Sequence, residues 1–288
     1  TMYIQHFGLA QYPFTQTPNT RYFLKLPSHQ RAFDFVVEAL QDGSSFTKIV
    51  GEVGTGKTML CRKVLAALDA IEKRYVTAFI PNPVLDEESI MYAIAEELHL
   101  RIEHGASYYE LLKVIGEELI RLSALGKTAV LFIDEAQAMT EASLEAIRLL
   151  TKIEKGAGQP IPLQIILFGQ LELDELLERP ALRESNRVLS VSYQLDSLER
   201  GDVEAYIDYR LLKAGYSGSG LFTEKAKDLL FHGSKGIPRL INILAHKALM
   251  IAFRKGDHAL TEKHIGLAVK DTKSALQHKQ GARGLFST

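Results

Sequence analysis

Residues 51–58, Gly51-Glu52-Val53-Gly54-Thr55-Gly56-Lys57-Thr58, satisfy the pattern G-x-x-x-x-G-K-[ST] at every fixed position. Glycines at this spacing let successive backbone N–H groups curl around a phosphate at the positive end of the helix that follows. Lys57 supplies a mobile cation for the β- and γ-phosphates, and the Thr58 hydroxyl suits a Mg²⁺ ligand. Met59 carries the turn into an apolar helix, so Gly51 to Met59 are the expected nucleotide-binding residues and ATP with Mg²⁺ the expected cofactors.

A second cluster lies in "AVLFIDEAQAM" (129–139), where Asp134 and Glu135 follow a five-residue apolar run. Asp134 is placed to hold Mg²⁺ through its water shell. Glu135 is placed to orient and polarise an attacking water, because phosphoryl transfer depends on positioning and charge neutralisation. Two adjacent acids favour water over another acceptor. In "LFGQ" (167–170), Gln170 stands at a strand's carboxyl edge, where it could sense the γ-phosphate, hold the water or simply begin a helix. "RPALRESNRVLS" (179–190) offers Arg179, Arg183 and Arg187. These are solvated surface, members of local ion pairs, or the source of an arginine finger acting on a neighbour's nucleotide. Arg239, in "SKGIPRLINIL" (234–244), sits in the first turn of a helix, where cations are normally disfavoured; an anionic partner would explain it.

Elements capable of holding these residues are legible around them. The runs 46–50, 75–80, 129–133, 163–168 and 188–193 read as strands, and those rich in β-branched and large apolar residues without alternation suit a parallel sheet buried on both faces. Helical spacing fills 58–68, 86–98, 108–125 and 140–154, with Asp86 and Thr140 as N-caps. Strand and helix in alternation predict a doubly wound α/β layer. Beyond about residue 195 the strand signal stops, and helices are expected near 199–214, 223–232, 237–254 and 261–271. The expected organisation is an N-terminal linker and α/β nucleotide-binding domain (1–195), a helical lid (196–271) and a loose basic tail (272–288).

Bulk properties exclude several classes. With 46% hydrophobic and 24% charged residues among 288, the chain has the composition of an ordinary globular protein. A formal net charge of −1 gives no global attraction to nucleic acid or anionic lipid. Cys61 is the single cysteine, so no internal disulfide forms, and its place on an apolar helix face predicts a packing role. The run 240–253 is too short and too polar to span a bilayer, and the N-terminus lacks a secretory pattern. A cytoplasmic protein is expected. Ser217 lacks the glycine of a hydrolase elbow, no H-E-x-x-H or Cys/His cluster exists, and no dinucleotide fingerprint follows a strand.

Taken together, "GEVGTGKT", "LFIDEAQ", a polar residue after the fourth strand, arginines before the fifth and "GIPR" in a helical region resemble the AAA+ ATPases. Within them, "MYIQHFGLAQYPFTQTPNT", "GEVGTGKTMLCRKVL", "FIPNP", "LFGQLELDELL" and "GIPRLINILAHKALM" resemble the ExeA/GspA group of secretion ATPases. They look most like its members in mannose-sensitive haemagglutinin (MSHA) type IV pilus biogenesis. The resemblance implies a five-stranded parallel sheet between helices, with a C-terminal all-helical lid. It implies Glu135 as catalytic base, Gln170 at the sensor 1 position, Arg239 as sensor 2, and Arg187, with Arg183 second, as a finger acting in trans. Gln170 departs from the Asn, Thr or Ser usual there. Residues from Tyr12 to Phe23 would cover the adenine edge. Implied partners are further copies of the chain, in an ATP-dependent homo-oligomer, and inner-membrane components of a pilus or secretion machine, with the chain peripheral to the membrane. Larger relatives continue into a membrane segment and a wall-binding domain, so wall remodelling would fall to a partner or lie outside the task. Three functions are compatible: an ATPase that drives or times assembly, a nucleotide-gated scaffold with little turnover, and a DNA-associated regulator. The charge weighs against the last.

Overall fold

The computed structural model describes residues 3–15, 26–70, 74–103, 105–154, 158, 161–182 and 191–284, with side chains to residue 273, that of residue 181 excepted. The apolar runs become β1 (Phe46–Val50), β2 (Tyr75–Ile80), β3 (Thr128–Ile133), β4 (Leu163–Gly169) and β5 (Val191–Gln194). They form one sheet in the order β2-β3-β4-β1-β5, with every pairing parallel. β4 is buried at all of its positions, as its unbroken apolar character requires. In register, Val50 of β1 faces Gly169 of β4, and Ile133 of β3 faces Leu167. The segments leaving β1, β3 and β4 therefore emerge side by side at one edge of the sheet. Those segments are the glycine-rich loop, Asp134-Glu135 and Gln170.

Successive strand residues point to opposite faces, so each strand serves two cores. Leu131, Ile133, Ile165 and Leu167 face α3 (Glu87–Glu97), α4 (Tyr108–Ala124) and α5 (Glu141–Leu150). Val130, Phe132, Ile166 and Phe168 face α1 (Pro27–Gln41) and α2 (Lys57–Asp69), in an apolar core where Cys61 is fully buried. Caps set the helix starts. Asp86 accepts from Ser89 N–H at 2.7 Å, Thr140 from Ser143 N–H at 3.0 Å, and Ser107 and Glu110 form a reciprocal capping box. Two helices go unnoticed in the sequence. α1 carries a clear apolar face, with Ala32, Val36, Ala39 and Leu40 buried, and it begins at Pro27, a residue that can open a helix; α6 (Glu172–Leu177) is too short for a period to show. α5 stops at Leu150 rather than 154, because Ile153 already accepts from Ile161 N–H at 3.0 Å on the way into β4.

Contacts divide the chain into two compact units: residues 28–53 with 57–196, and residues 1–27, 54–56 and 197–288. The second contains α7 (Arg200–Lys213), α8 (Glu224–Ser234), α9 (Pro238–Lys255) and α10 (Glu262–Gly284), the last continuing where the periodicity predicts a tail. Its core also takes in Tyr3, Phe7, Leu9 and Phe14, with Ala10 N–H donating to Ala214 O at 2.7 Å. The sequence reading groups these residues with the α/β part instead. Among the described residues no helix is long and apolar enough to cross a membrane.

Gln164 is an exception in the otherwise apolar β4. It is 3% exposed, and its amide N–H₂ faces three carbonyls at the end of α1 and beyond: Ala39 at 3.4 Å, Leu40 at 3.1 Å and Ser44 at 3.2 Å. Gln164→Leu, similar in size, removes these bonds; Ala39 O and Leu40 O keep the N–H groups of Ser44 and Gly43, so the expected cost is about 1 kcal/mol. Urea unfolding should show a lower midpoint with unchanged slope; an unaltered midpoint contradicts the capping role.

Candidate functional site

Lys57, Thr58, Asp134, Glu135, Gln137 and Gln170 all belong to the α/β unit. β1 ends at Val50, the loop turns through Gly54 (φ +87°) and Gly56 (φ +105°), and Lys57 opens α2. These two φ values lie where only glycine is at ease. Lys57, 6% exposed, folds back on the loop and donates to the carbonyls of Gly51 and Glu52, both at 2.8 Å. Burial is the main influence on its ammonium and lowers its pKa, opposed by Glu135, Asp134, Glu172 and Glu52. Thr58 donates from Oγ1 to Asp134 Oδ2 at 2.6 Å, joining residues that leave β1 and β3. Asp134 is 3% exposed, and its other oxygen accepts from Glu135 N–H at 3.0 Å. Burial raises its pKa, and the bonds from Thr58 and Glu135 N–H only partly offset this.

Glu135 adopts the left-handed conformation (φ 54°, ψ 38°), which costs a non-glycine residue about 1–3 kcal/mol and persists only where the surroundings enforce it. The next residues, Ala136–Ala138, make one tight turn, with Ala136 fully buried. That geometry brings two amides onto one carboxylate oxygen. Gln137 donates to Glu135 Oε2 at 2.6 Å and Gln170 donates to it at 3.3 Å. Gln137 Oε1 in turn accepts from Gln170 N–H at 3.0 Å. Gln137 is absent from the residues singled out by sequence, although "DEAQ" places it two positions after the acid. A glutamine in a short turn carries no pattern of its own; the left-handed twist at Glu135 is what brings it to the carboxylate.

Other expected residues fall elsewhere. Val53 is half exposed, Met59 half-buried and Thr55 buried. Arg239 stands in the first turn of α9; its N–H donates to Gly54 O at 3.2 Å, and a Cβ on Gly54 would lie 2.6 Å from the Cβ of Arg239. Residue 54 groups with this helical unit. Arg179 pairs with Glu141 at 2.8 Å. Arg183 and Arg187 lie outside the described residues, as do 16–23 of the expected adenine cover; the Tyr12 and Tyr3 ring centroids are 5.3 Å apart.

A hydroxyl and a carboxylate oxygen converging beside a lysine and a glycine-rich turn fit Mg²⁺, which takes few protein ligands and keeps its waters. Among the described residues no group of three or more His, Cys, Asp or Glu could form an all-protein cage.

A family described as AAA domain matches residues 40–177. The chain is 38% identical over 285 residues, 99% of its length, to the general secretion pathway protein A of Aeromonas hydrophila. The fold is that of the AAA+ P-loop proteins, and the chain is similar over nearly its whole length to the ExeA/GspA group. The chain spans about half of that relative, 51% of its length. Solved AAA+ neighbours include Cdc6p of Pyrobaculum aerophilum, with a TM-score of 0.69 and 16% identity over 89% of this chain and 70% of that one. A Walker-type ATPase of Pyrococcus abyssi gives 0.61 and 14% over 96% and 80%. The Drosophila ORC bound to DNA gives 0.64 and 16% over 90% and 63%. At these identities the likeness shows the fold alone.

A carboxyl whose pKa is raised by folding disfavours the fold above that pKa, and the cost disappears as pH falls toward the ordinary carboxylate value. Asp134→Asn is therefore expected to raise the Tm of the nucleotide-free AAA+ chain at pH 7.5, with the gain shrinking as pH approaches 4. The same variant should lose most of the Tm rise that Mg·ATP gives the parent. Calorimetry across that range checks both. A variant less stable at pH 7.5 that keeps its Mg·ATP response contradicts the assignment.

Proposed function

We propose that this chain binds ATP with Mg²⁺ and hydrolyses it to ADP and phosphate. Turnover would drive or time assembly of a secretion machine or a type IV pilus of the MSHA kind. The observation that supports this best is the convergence of Lys57, the Thr58–Asp134 pair and the amide-held Glu135 at one sheet edge. In this reading the loop N–H groups and Lys57 hold the β- and γ-phosphates, Lys57 exchanging its two carbonyl partners for phosphate oxygens. Thr58 and Asp134 hold Mg²⁺, which supplies neutralisation of the phosphate charge. Glu135 draws a proton from the attacking water, Gln170 holds the water or the γ-phosphate at sensor 1, and Arg239 contributes at sensor 2. Arg187, or Arg183, reaches a neighbouring copy's nucleotide in a homo-oligomer. The 38% identity to a general secretion pathway protein supports a cytoplasmic protein peripheral to an inner-membrane complex, and the net charge of −1 supports a protein partner over nucleic acid.

Lys57→Ala is expected to weaken ATP binding at least about tenfold, since it removes a charge-assisted contact to phosphate. Glu135→Gln should keep the parent's affinity and slow single-turnover hydrolysis about 100-fold or more. Parent turnover per chain should rise with protein concentration if an arginine completes a neighbour's site. Undiminished hydrolysis in Glu135→Gln removes that residue from the mechanism, and concentration-independent turnover removes the shared site. Tight ATP binding by a parent with no turnover leaves a nucleotide-gated scaffold.

A further inference from the structure

We infer that Gln137 is a positioning residue of the hydrolytic site, bracing the Glu135 carboxylate against the end of β4. The inference rests on the ATPase reading above and adds to it a residue that acts through Glu135. The side chain satisfies two partners at once. Its Nε2 donates to Glu135 Oε2 at 2.6 Å while its Oε1 accepts from the backbone N–H of Gln170 at 3.0 Å. Gln170 then donates its own side-chain amide to the same Glu135 oxygen at 3.3 Å. The closed circuit joins the residues that follow β3 and β4, and it assigns one carboxylate oxygen to protein donors.

The surroundings are shaped for it. A Cβ on Gly169 would lie 3.2 Å from Gln137 Oε1 and 2.8 Å from Leu173 Cδ2, so glycine there leaves room for the amide. On its other side Gln137 borders a cleft of about 490 Å³, with Met139, Thr140, Glu172 and Leu176. Truncation at 137 therefore opens to this cleft rather than leaving a closed void. An amide suits the position because it donates to the carboxylate from its nitrogen and accepts the N–H at its oxygen, two separate atoms, without carrying charge. With Oε2 held, rotation of the carboxylate is restrained and Oε1 keeps one direction, which is what orienting a water requires.

The test compares Gln137→Ala, Gln137→Met and Gln137→Glu with the parent, in the 288-residue chain with Mg·ATP. It measures nucleotide affinity, single-turnover hydrolysis and hydrogen exchange at the Gln170 amide. Alanine and methionine are expected to leave affinity unchanged, slow hydrolysis about 10- to 100-fold and speed exchange at Gln170. Glutamate keeps the acceptor but not the donor, so it should slow hydrolysis while Gln170 exchanges as in the parent. A merely structural residue would instead lower affinity and rate together, or alter exchange across the sheet, and either result overturns the inference. So does an unchanged hydrolysis rate in alanine and methionine variants of a parent that turns over. A parent that binds ATP without turnover overturns the ATPase reading. The brace is then decided by Gln170 exchange alone and fails if Gln137→Ala leaves it unchanged.

Discussion

Burying Lys57 and Asp134 is the constraint to which the rest of the α/β unit answers. Both are almost inaccessible, and burial pushes each toward its neutral form. Such charges persist only when every polar atom finds a partner. Lys57 meets the need with two loop carbonyls, which a loop can present only if glycines let it curl. Asp134 meets it with Thr58 and the Glu135 N–H, which requires the segments leaving β1 and β3 to approach although β4 lies between those strands. The parallel register supplies the approach, and the two apolar cores fix the register.

Glu135 carries the second consequence. Its N–H is taken up by Asp134, and its left-handed backbone turns the chain sharply into Ala136–Ala138. That turn removes the catalytic candidate from regular structure and hands its side chain to Gln137 and Gln170. Strain of this kind persists where neighbours over-determine it. Here the neighbours are the buried Ala136 and the residues at the end of β4.

Strands β1 to β4 and the phosphate loop were legible because each rests on a local pattern: apolar runs for the strands, and fixed spacing for Gly51 to Thr58. Of the expected fifth run, 188–193, only 191–193 is described. Asp134 and Glu135 were legible from their place after a strand. What escaped depends on tertiary contact. Gln137 matters through a backbone twist that no residue type announces, Gln164 through carbonyls more than a hundred residues away, and Tyr3 to Phe14 through a helical core that the chain completes last. α6 is shorter than two helical turns, so periodicity had nothing to register. The ends of α5 and α10 differ from expectation because a neighbouring strand shortens one, while the other runs on through a polar segment.

The central claim is that water, positioned beside Mg·ATP by this cluster, is the acceptor of the γ-phosphoryl group. Incubating the parent chain with Mg·ATP in ¹⁸O-labelled water tests it most directly, by mass analysis of the phosphate released. The account predicts Mg²⁺-dependent release, stopped by chelation, with at least one water-derived oxygen in each phosphate. Phosphate that carries no label, or ATP that stays intact while bound at saturating protein, contradicts it.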